Sequence, residues 1–262
     1  MNRFITDIKK YKKYIRYATI SELKKEVINS YLGWIWMILE PLCFMLIYTF
    51  IAKVVFKSSV EYFPVFVFIG LSMWTFFNKM ISASVKLVVA NRDTVTKVYL
   101  PKYILIMIKM GVNLFKMFVS FILVAIFMVI YKVPLTWNVL WFFPIIVTLI
   151  IFTFGCCTFM LHIGVFVEDL SNVVTIVLRM LFYLTGVFFD ISKRIANEVF
   201  RVILLDVNPM ANLIYNMRNA LLYGKGPIGL WTAVWFLIGV LLCILGIKTI
   251  YKYENTYVKV MK

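Results

Sequence analysis

Separate apolar runs, most of them long enough to cross a bilayer, dominate the 262-residue chain. A spanning helix needs about 20 apolar residues, and in lipid every backbone N–H and C=O must find its partner inside the protein. These conditions point to an all-α membrane protein. Apolar residues make up 63% of the chain and charged ones only 15%, against roughly 45–50% and 25% in a soluble domain. A water-soluble enzyme of this length could not cover such a surface.

The expected architecture is a single transmembrane domain over residues 1–262 with six transmembrane helices. A first span from Trp34 to about Phe56 is broken by Glu40-Pro41, and a second starts near Tyr62 and fades by Asn91. The third follows Pro101 and ends near Tyr131, and the fourth runs from Trp137 to Val167. After a break at Glu168-Asp169 comes a short fifth span, from Val173 to Phe189, and the sixth runs from Gly229 to Tyr251. This divides the chain into segments 1–33, 34–189, 190–228, 229–251 and a tail 252–262.

Six spans put both termini on one side, and the basic residues choose which. The formal charge is +16; in a membrane chain this points to anionic headgroups and the positive-inside rule rather than to nucleic acid. Segment 1–33, the loop before span three with its flanks, and the C-terminus together hold 17 Lys and Arg, against eight in the opposite loops. Both termini are therefore expected in the cytoplasm of a multi-pass cell-membrane protein.

Segment 1–33 carries eight basic residues and no continuous apolar core, so it does not read as a cleavable signal. Phe4, Ile8, Tyr11, Ile15 and Ala18 recur at helical spacing, opposite Lys9, Lys12, Lys13 and Arg16. That is the pattern of an amphipathic helix in the membrane interface. Segment 190–228 is too apolar to be solvated and too charged to span. Asn208-Pro209 offers an N-cap with Pro in the first turn, and Gly224 and Gly226 close the stretch ANLIYNMRNALL. With the amphipathic ISKRIANEVFRVILL before it, this predicts two short re-entrant helices between spans five and six.

Little in the chain suggests catalysis. His162 is the one histidine and reads as a packing or hydrogen-bonding residue. Cys43, Cys156, Cys157 and Cys243 lie in apolar runs without metal spacing, and no nucleotide-binding glycine loop is present. Energy for any transport must come from another chain. Lys109, Asn113, Lys116 and Ser120 share one face of span three; they either line a cavity or make snorkelling and interhelix contacts. Aromatic side chains at Trp36, Phe44, Tyr48, Phe182 and Tyr183 could stack on sugar rings, or belong to an interfacial belt.

The stretch SELKKEVINSYLGWIWMILEPL (21–42) resembles the approach to the first span in permease subunits of ATP-binding cassette exporters of O-antigen, teichoic acid and capsule. Leu23-Lys24, Leu32-Gly33-Trp34 and Glu40-Pro41-Leu42 carry the likeness. NRDTVTKVYLPKYILI (91–106) resembles the cytoplasmic loop before span three, through Asn91, Lys97, Val98 and Pro101. NPMANLIYNMRNALLYG (208–224) resembles the outer segment, through Asn208, Pro209 and Arg218. The chain departs from the family pattern at Glu26, at Glu168-Asp169 and at Leu100.

The resemblance implies a homodimer with two copies of an ATP-binding cassette ATPase that binds ATP and Mg, no cofactor being held in this chain. It implies export of a lipid-linked glycan from the cytoplasmic leaflet through a channel at the dimer axis, with membrane lipids around it. Expected docking and coupling residues are Glu22, Lys24, Lys25, Asn91, Arg92, Lys97 and Pro101; channel residues are Trp36, Phe44, Tyr48, Lys116, Phe182 and Tyr183; gate residues are Asn208, Pro209 and Arg218. Arg194, Arg201 and Arg218 are candidates for a phosphate of the cargo. A drug or lipid exporter of the same architecture is the alternative. A membrane-embedded acyl- or glycosyltransferase would need polar partners for His162, and a non-transporting scaffold would not need the coupling-loop motif.

Overall fold

A computed structural model describes residues 2–28, 33–55, 60–227 and 230–260. Leu32 of the Leu32-Gly33-Trp34 turn, the Trp34 side chain, Lys57, the start of span six at Gly229 and Lys262 lie outside the described residues. Among those described, all regular structure is helical. Helix α1 covers Asn2–Ile28, α2 Gly33–Phe50, α3 Phe63–Val85, α4 Leu87–Ala90, α5 Arg92–Lys97 and α6 Lys102–Ile130. Then come α7 (Phe142–Phe166), α8 (Leu170–Leu184), α9 (Ile191–Arg194), α10 (Glu198–Val202), α11 (Pro209–Leu222) and α12 (Trp231–Val260). Among the described residues, five stretches are long and apolar enough to cross a membrane: Ile35–Val54, Phe63–Val85, Lys102–Ile130, Trp137–Phe166 and Trp231–Tyr257.

Helix α3 is the axis of the protein. Residues buried inside the protein make up 78% of its apolar stretch, against 11% for the stretch in α2 and 17% for α12. It packs on α2, α6, α7, α8 and α11, and Phe63, Val65, Val67, Phe68, Ile69 and Met73 are fully enclosed. Helices α7 and α12 approach closely because small residues meet there: a Cβ on Gly239 would lie 3.0 Å from the Phe152 backbone. The faces of α2, α8 and α12 that the chain leaves uncovered are apolar, as lipid or a partner subunit requires.

Three expectations need correction. The first span is not broken at Glu40-Pro41, since α2 runs through Pro41 and continues as a π-helical turn, Ile51–Val55. Proline removes one N–H, leaving the Met37 carbonyl without its usual amide; Met37 and Pro41 both face a cavity described below. The segment expected as span five is a 15-residue helix, Leu170–Leu184, with a rise of about 22 Å. Gly186, at φ +66°, then turns the chain, so the apolar residues up to Phe189 do not extend the helix. In the outer segment, the stretch after Ile191 is not one helix: the Asn197 carboxamide accepts from the amides of Val199 and Phe200 and starts α10 afresh.

Other boundaries agree with the sequence reading. Asn208 caps α11 by accepting from the amides of Met210 and Ala211, with Pro209 at the first position. Gly224, at φ +60°, leads the chain away from its end. Phe4, Tyr11, Ile15 and Ala18 of α1 pack against the core, and α1 lies along α6. One boundary differs: the segment expected as a tail after Tyr251 continues α12 as helix as far as Val260.

Candidate functional site

At one end of the bundle the start of α1, the loop before α6 and the end of α12 are tied together by polar contacts. Tyr103 and Tyr251 each donate to the Asp7 carboxylate at 2.9 Å, and the two hydroxyls lie 2.9 Å apart. Beside them Glu254 accepts from Arg3 at 2.9 Å and from Tyr99 at 2.9 Å, while Arg3 also reaches the Tyr99 hydroxyl and stacks on the Tyr251 ring. The bond to Glu254 holds the Arg3 guanidinium above its ordinary pKa, and desolvation raises the Tyr99 phenol. Both chain ends and residues 91–101 thus share one end of the molecule. Sequence reasoning missed this knot, although Asp7 is the only acid among the first 21 residues and Glu254 the only one after Tyr251.

The residues expected to dock an ATPase divide between surface and interior. Arg92, Lys97, Val98 and Tyr99 are exposed, Asn91 donates its amide to the Leu87 carbonyl at 2.8 Å, and Pro101 is buried at the start of α6. Lys24 and Lys25 are exposed. Glu22 points the other way, pairing with Lys109 at 2.8 Å. One turn further along α1, Glu26 pairs with Lys116. The Glu26 departure from the family pattern therefore has a local partner. A charge at mid-helix depth costs roughly 2.5–3.5 kcal/mol in lipid, and the carboxylate offsets part of that.

The Lys116–Glu26 pair forms one wall of a cavity of about 220 Å³ between the end of α1 and helices α2, α3 and α6. Trp36, Phe44, Glu40, Lys79, Asn113 and Ser120 contribute to its lining, and Lys79 meets Glu40 at 3.6 Å. Both sequence readings of the α6 strip hold in part: Asn113, Lys116 and Ser120 line the cavity, whereas Lys109 makes an interhelix ion pair.

From the cavity an aromatic series follows α2 away from the knot. Phe44 stacks on Tyr48, with centroids 6.4 Å apart. Tyr48 lies parallel to Phe188 at 5.7 Å and tilted against Phe182 at 6.2 Å. Phe182 in turn touches Trp74 and Tyr183. Trp36 and Tyr183 remain more than half exposed. All five aromatic residues singled out in the sequence thus fall along one side of the molecule, on α2 and α8.

At the opposite end Arg218 is buried, not presented to a ligand. Its Nε donates to the Phe66 carbonyl at 3.0 Å, and its two Nη atoms donate to the carbonyls of Gly186 at 2.9 Å and Val187 at 2.6 Å. The guanidinium lies 3.4 Å from the Phe66 ring centre, and a Cβ on Gly70 would run into it. The expected phosphate contact is corrected for this residue, since backbone carbonyls take its donors. Arg201 is half-buried beside Glu198 at 3.5 Å, and Arg194 is exposed. Asn208, besides capping α11, donates to the Thr185 hydroxyl at 3.4 Å, and the Trp235 indole donates to the Asp206 carbonyl at 2.9 Å. Residues 185–208 are thereby fixed to both α8 and α12. Burial raises the Asp206 carboxyl above its ordinary pKa.

His162 shares a 2.8 Å hydrogen bond with the Tyr257 hydroxyl and packs on Phe166 and Tyr253, as a structural histidine does. The four cysteines are free. The family model described as ABC-2 type transporter matches residues 15–222. The chain belongs to the ABC-2 type transporter membrane family. Its matched range covers α2 to α11 and most of the ion-paired half of α1. Among curated relatives, the chain is similar to the O-antigen export system permease protein RfbA of Myxococcus xanthus, 28% identical over 214 residues and 82% of each chain. It is also similar to the protein of that name from Klebsiella pneumoniae, 24% identical over 245 residues and 93% of each chain. This ABC-2 chain is a multi-pass membrane protein and a transport component.

Proposed function

We propose that the chain is the permease subunit of an ATP-driven exporter of a lipid-linked polysaccharide or teichoic-acid-like polymer, picked up from the cytoplasmic leaflet. It works as a homodimer with two ATPase subunits that bind ATP and Mg. The observation that carries this reading is the uncovered face of α2 and α8. It combines apolar surface with the cavity at Trp36, Phe44 and Lys116 and the aromatic series through Tyr48, Phe182 and Tyr183. Facing a second copy, it would line a path wet enough at the ion pairs for hydroxyls and flat enough at the rings for sugars to slide. Each stacking contact is worth on the order of 0.5–1.5 kcal/mol by analogy with aromatic pairs, which favours passage over retention. The names of the relatives support a glycan cargo over the alternative of a drug or lipid exporter.

In this reading α8 is the fifth crossing and brings the total to six. At about 22 Å it is shorter than the roughly 30 Å hydrocarbon layer, and the turn at Gly186 with α9 to α11 fills the outer leaflet as a re-entrant gate. Asn208, Pro209 and Arg218 hold that gate. Helix α1 lies at the cytoplasmic interface, its basic residues toward headgroups. Both termini and residues 91–101 are cytoplasmic and 190–227 external; Glu22, Lys24, Lys25, Asn91, Arg92, Lys97 and Pro101 couple the chain to the ATPase. Single cysteines at Asn91 and Asn197, in a cysteine-free background, are expected to react with an impermeant reagent from opposite sides. The function is tested by deleting the chain from cells that make a surface glycan. The polymer is expected to accumulate inside on its lipid carrier; undiminished surface polymer would refute the proposal.

A further inference from the structure

At the end of the bundle opposite the termini, two depressions of about 320 and 360 Å³ share Ser192 and Tyr215 as a common wall. One is bounded by Arg201, Asp206 and Asn212. The other is bounded by Glu61, Tyr62, Asp190, Lys193 and Lys225 and floored by Asn219 and Tyr223. Each falls within the roughly 300–1,000 Å³ of small-molecule sites, and together they make one groove across α9 to α11 and the start of α3. The groove shares no lining residue with the cavity at Trp36, Phe44 and Lys116.

Two features of the groove point to a ligand. The Asn219 side chain is 4% exposed, yet its amide nitrogen has no hydrogen-bond partner in the protein, nor has the buried Tyr223 hydroxyl. Buried donors are almost always paired, so these two are available to a ligand that reaches the floor. The second feature is charge: three acids (Glu61, Asp190, Asp206) balance three bases (Lys193, Arg201, Lys225) in the lining. Such a lining carries no net positive field for a phosphate headgroup. It combines acceptors, donors and the tyrosine rings of Tyr62, Tyr215 and Tyr223, which matches a polyhydroxyl chain.

We infer that this groove is a carbohydrate-binding site, holding a short stretch of exported glycan on the outer side after it has left the membrane path. The inference rests on the proposed glycan export for the identity of the ligand. Tyr215, at the wall between the two halves, is the ring shared by adjacent sugar positions, and Asn219 and Tyr223 donate to hydroxyls at the floor.

The test uses the full chain with its ATPase partner in nanodiscs. The probes are maltohexaose, chitohexaose and oligosaccharides released by mild acid from the surface glycan of the expressing cells. Binding is followed by saturation-transfer NMR and by hydrogen exchange of peptides within 190–225. The glycan fragments are expected to bind and to slow exchange there. Tyr215→Ala is expected to weaken binding roughly three- to tenfold, the equivalent of one lost stacking contact. The Lys193→Ala/Lys225→Ala pair, at exposed positions, is expected to weaken it without altering the thermal midpoint. Failure of all three probes to bind, binding insensitive to both variants, or displacement by glycerophosphoglycerol would each overturn the inference, the last in favour of a lipid headgroup. Loss of surface glycan on deletion of the chain, with no binding in the groove, would leave export standing and sink the groove alone. Unchanged surface glycan on deletion would sink the export reading itself.

Discussion

Replacing Arg218 by alanine should loosen the outer segment before it affects any cargo contact. The side chain donates to carbonyls of Phe66, Gly186 and Val187. Phe66 lies within α3, so its carbonyl keeps a helical amide after the substitution, but those of Gly186 and Val187, in the turn after α8, lose the donor they have. Each orphaned carbonyl costs about 1–3 kcal/mol. Removing a buried charge returns part of its desolvation cost, which leaves a net loss of about 2–4 kcal/mol. At roughly 2–4 °C per kcal/mol for a chain of this size, the apparent midpoint should fall by roughly 5–15 °C. The assay is fluorescence-detected size-exclusion after heating, read beside surface glycan in the same cells. Arg218→Met, which keeps most of the aliphatic volume, should lose nearly as much as alanine; Arg218→Lys, a point charge without the planar fork, should recover only part. Surface glycan should fall in step with folded complex. An unchanged midpoint with lost export would refute the reasoning, because Arg218 would then act on cargo and not on the turn.

Further outcomes follow from the other contacts. Lys116→Glu should lower complex yield by opposing Glu26, and Glu26→Lys in the same chain should restore it, with coupling on the order of 1 kcal/mol; a double variant no better than the single one would mean the pair contributes nothing. Trp36→Ala with Tyr48→Ala should cut surface glycan while ATPase binding persists; if glycan falls only with complex yield, the aromatic path should be dropped. Lys97→Glu should weaken docking or uncouple hydrolysis from export while the chain still inserts, checked by copurification and stimulated ATPase rate. Gly246→Val should abolish folded protein, because Thr158 on α7 already occupies the space a Cβ needs, and full yield of that variant would contradict the α7–α12 packing.

How much of this was legible in the sequence depends on what ends each element. Spans two to four could be read because Pro101, the turn at Tyr131-Lys132 and Glu168-Asp169 stop long apolar runs where lipid would end anyway. Pro41 misled because the carbonyl that proline frees in α2 faces a polar-lined cavity, where other groups can satisfy it, so the helix continues. The length of α8 was overestimated because GVFF after Thr185 is as apolar as the helix before it. What stops the helix is a glycine turn whose carbonyls bind Arg218, 31 and 32 residues away, a contact no local pattern encodes. Aromatic positions could be picked out individually, and the parallel Tyr48–Phe188 stack needed the fold. The Asp7 and Glu254 contacts join residues up to 251 apart, and only the isolation of each acid in a basic segment hinted at them.

In the proposed function, this chain, driven by a partner's ATP hydrolysis, carries a glycan across the membrane. The most direct measurement uses sealed proteoliposomes holding the chain and its ATPase, with lipid-linked glycan supplied on the face that binds ATP. Glycan reaching the far side is read by its protection from an added glycosidase. ATP-dependent protection is expected, lost with Trp36→Ala/Tyr48→Ala and absent when either protein is omitted. Robust hydrolysis by the chain alone, or glycan that stays fully accessible while the coupled ATPase turns over, would contradict it.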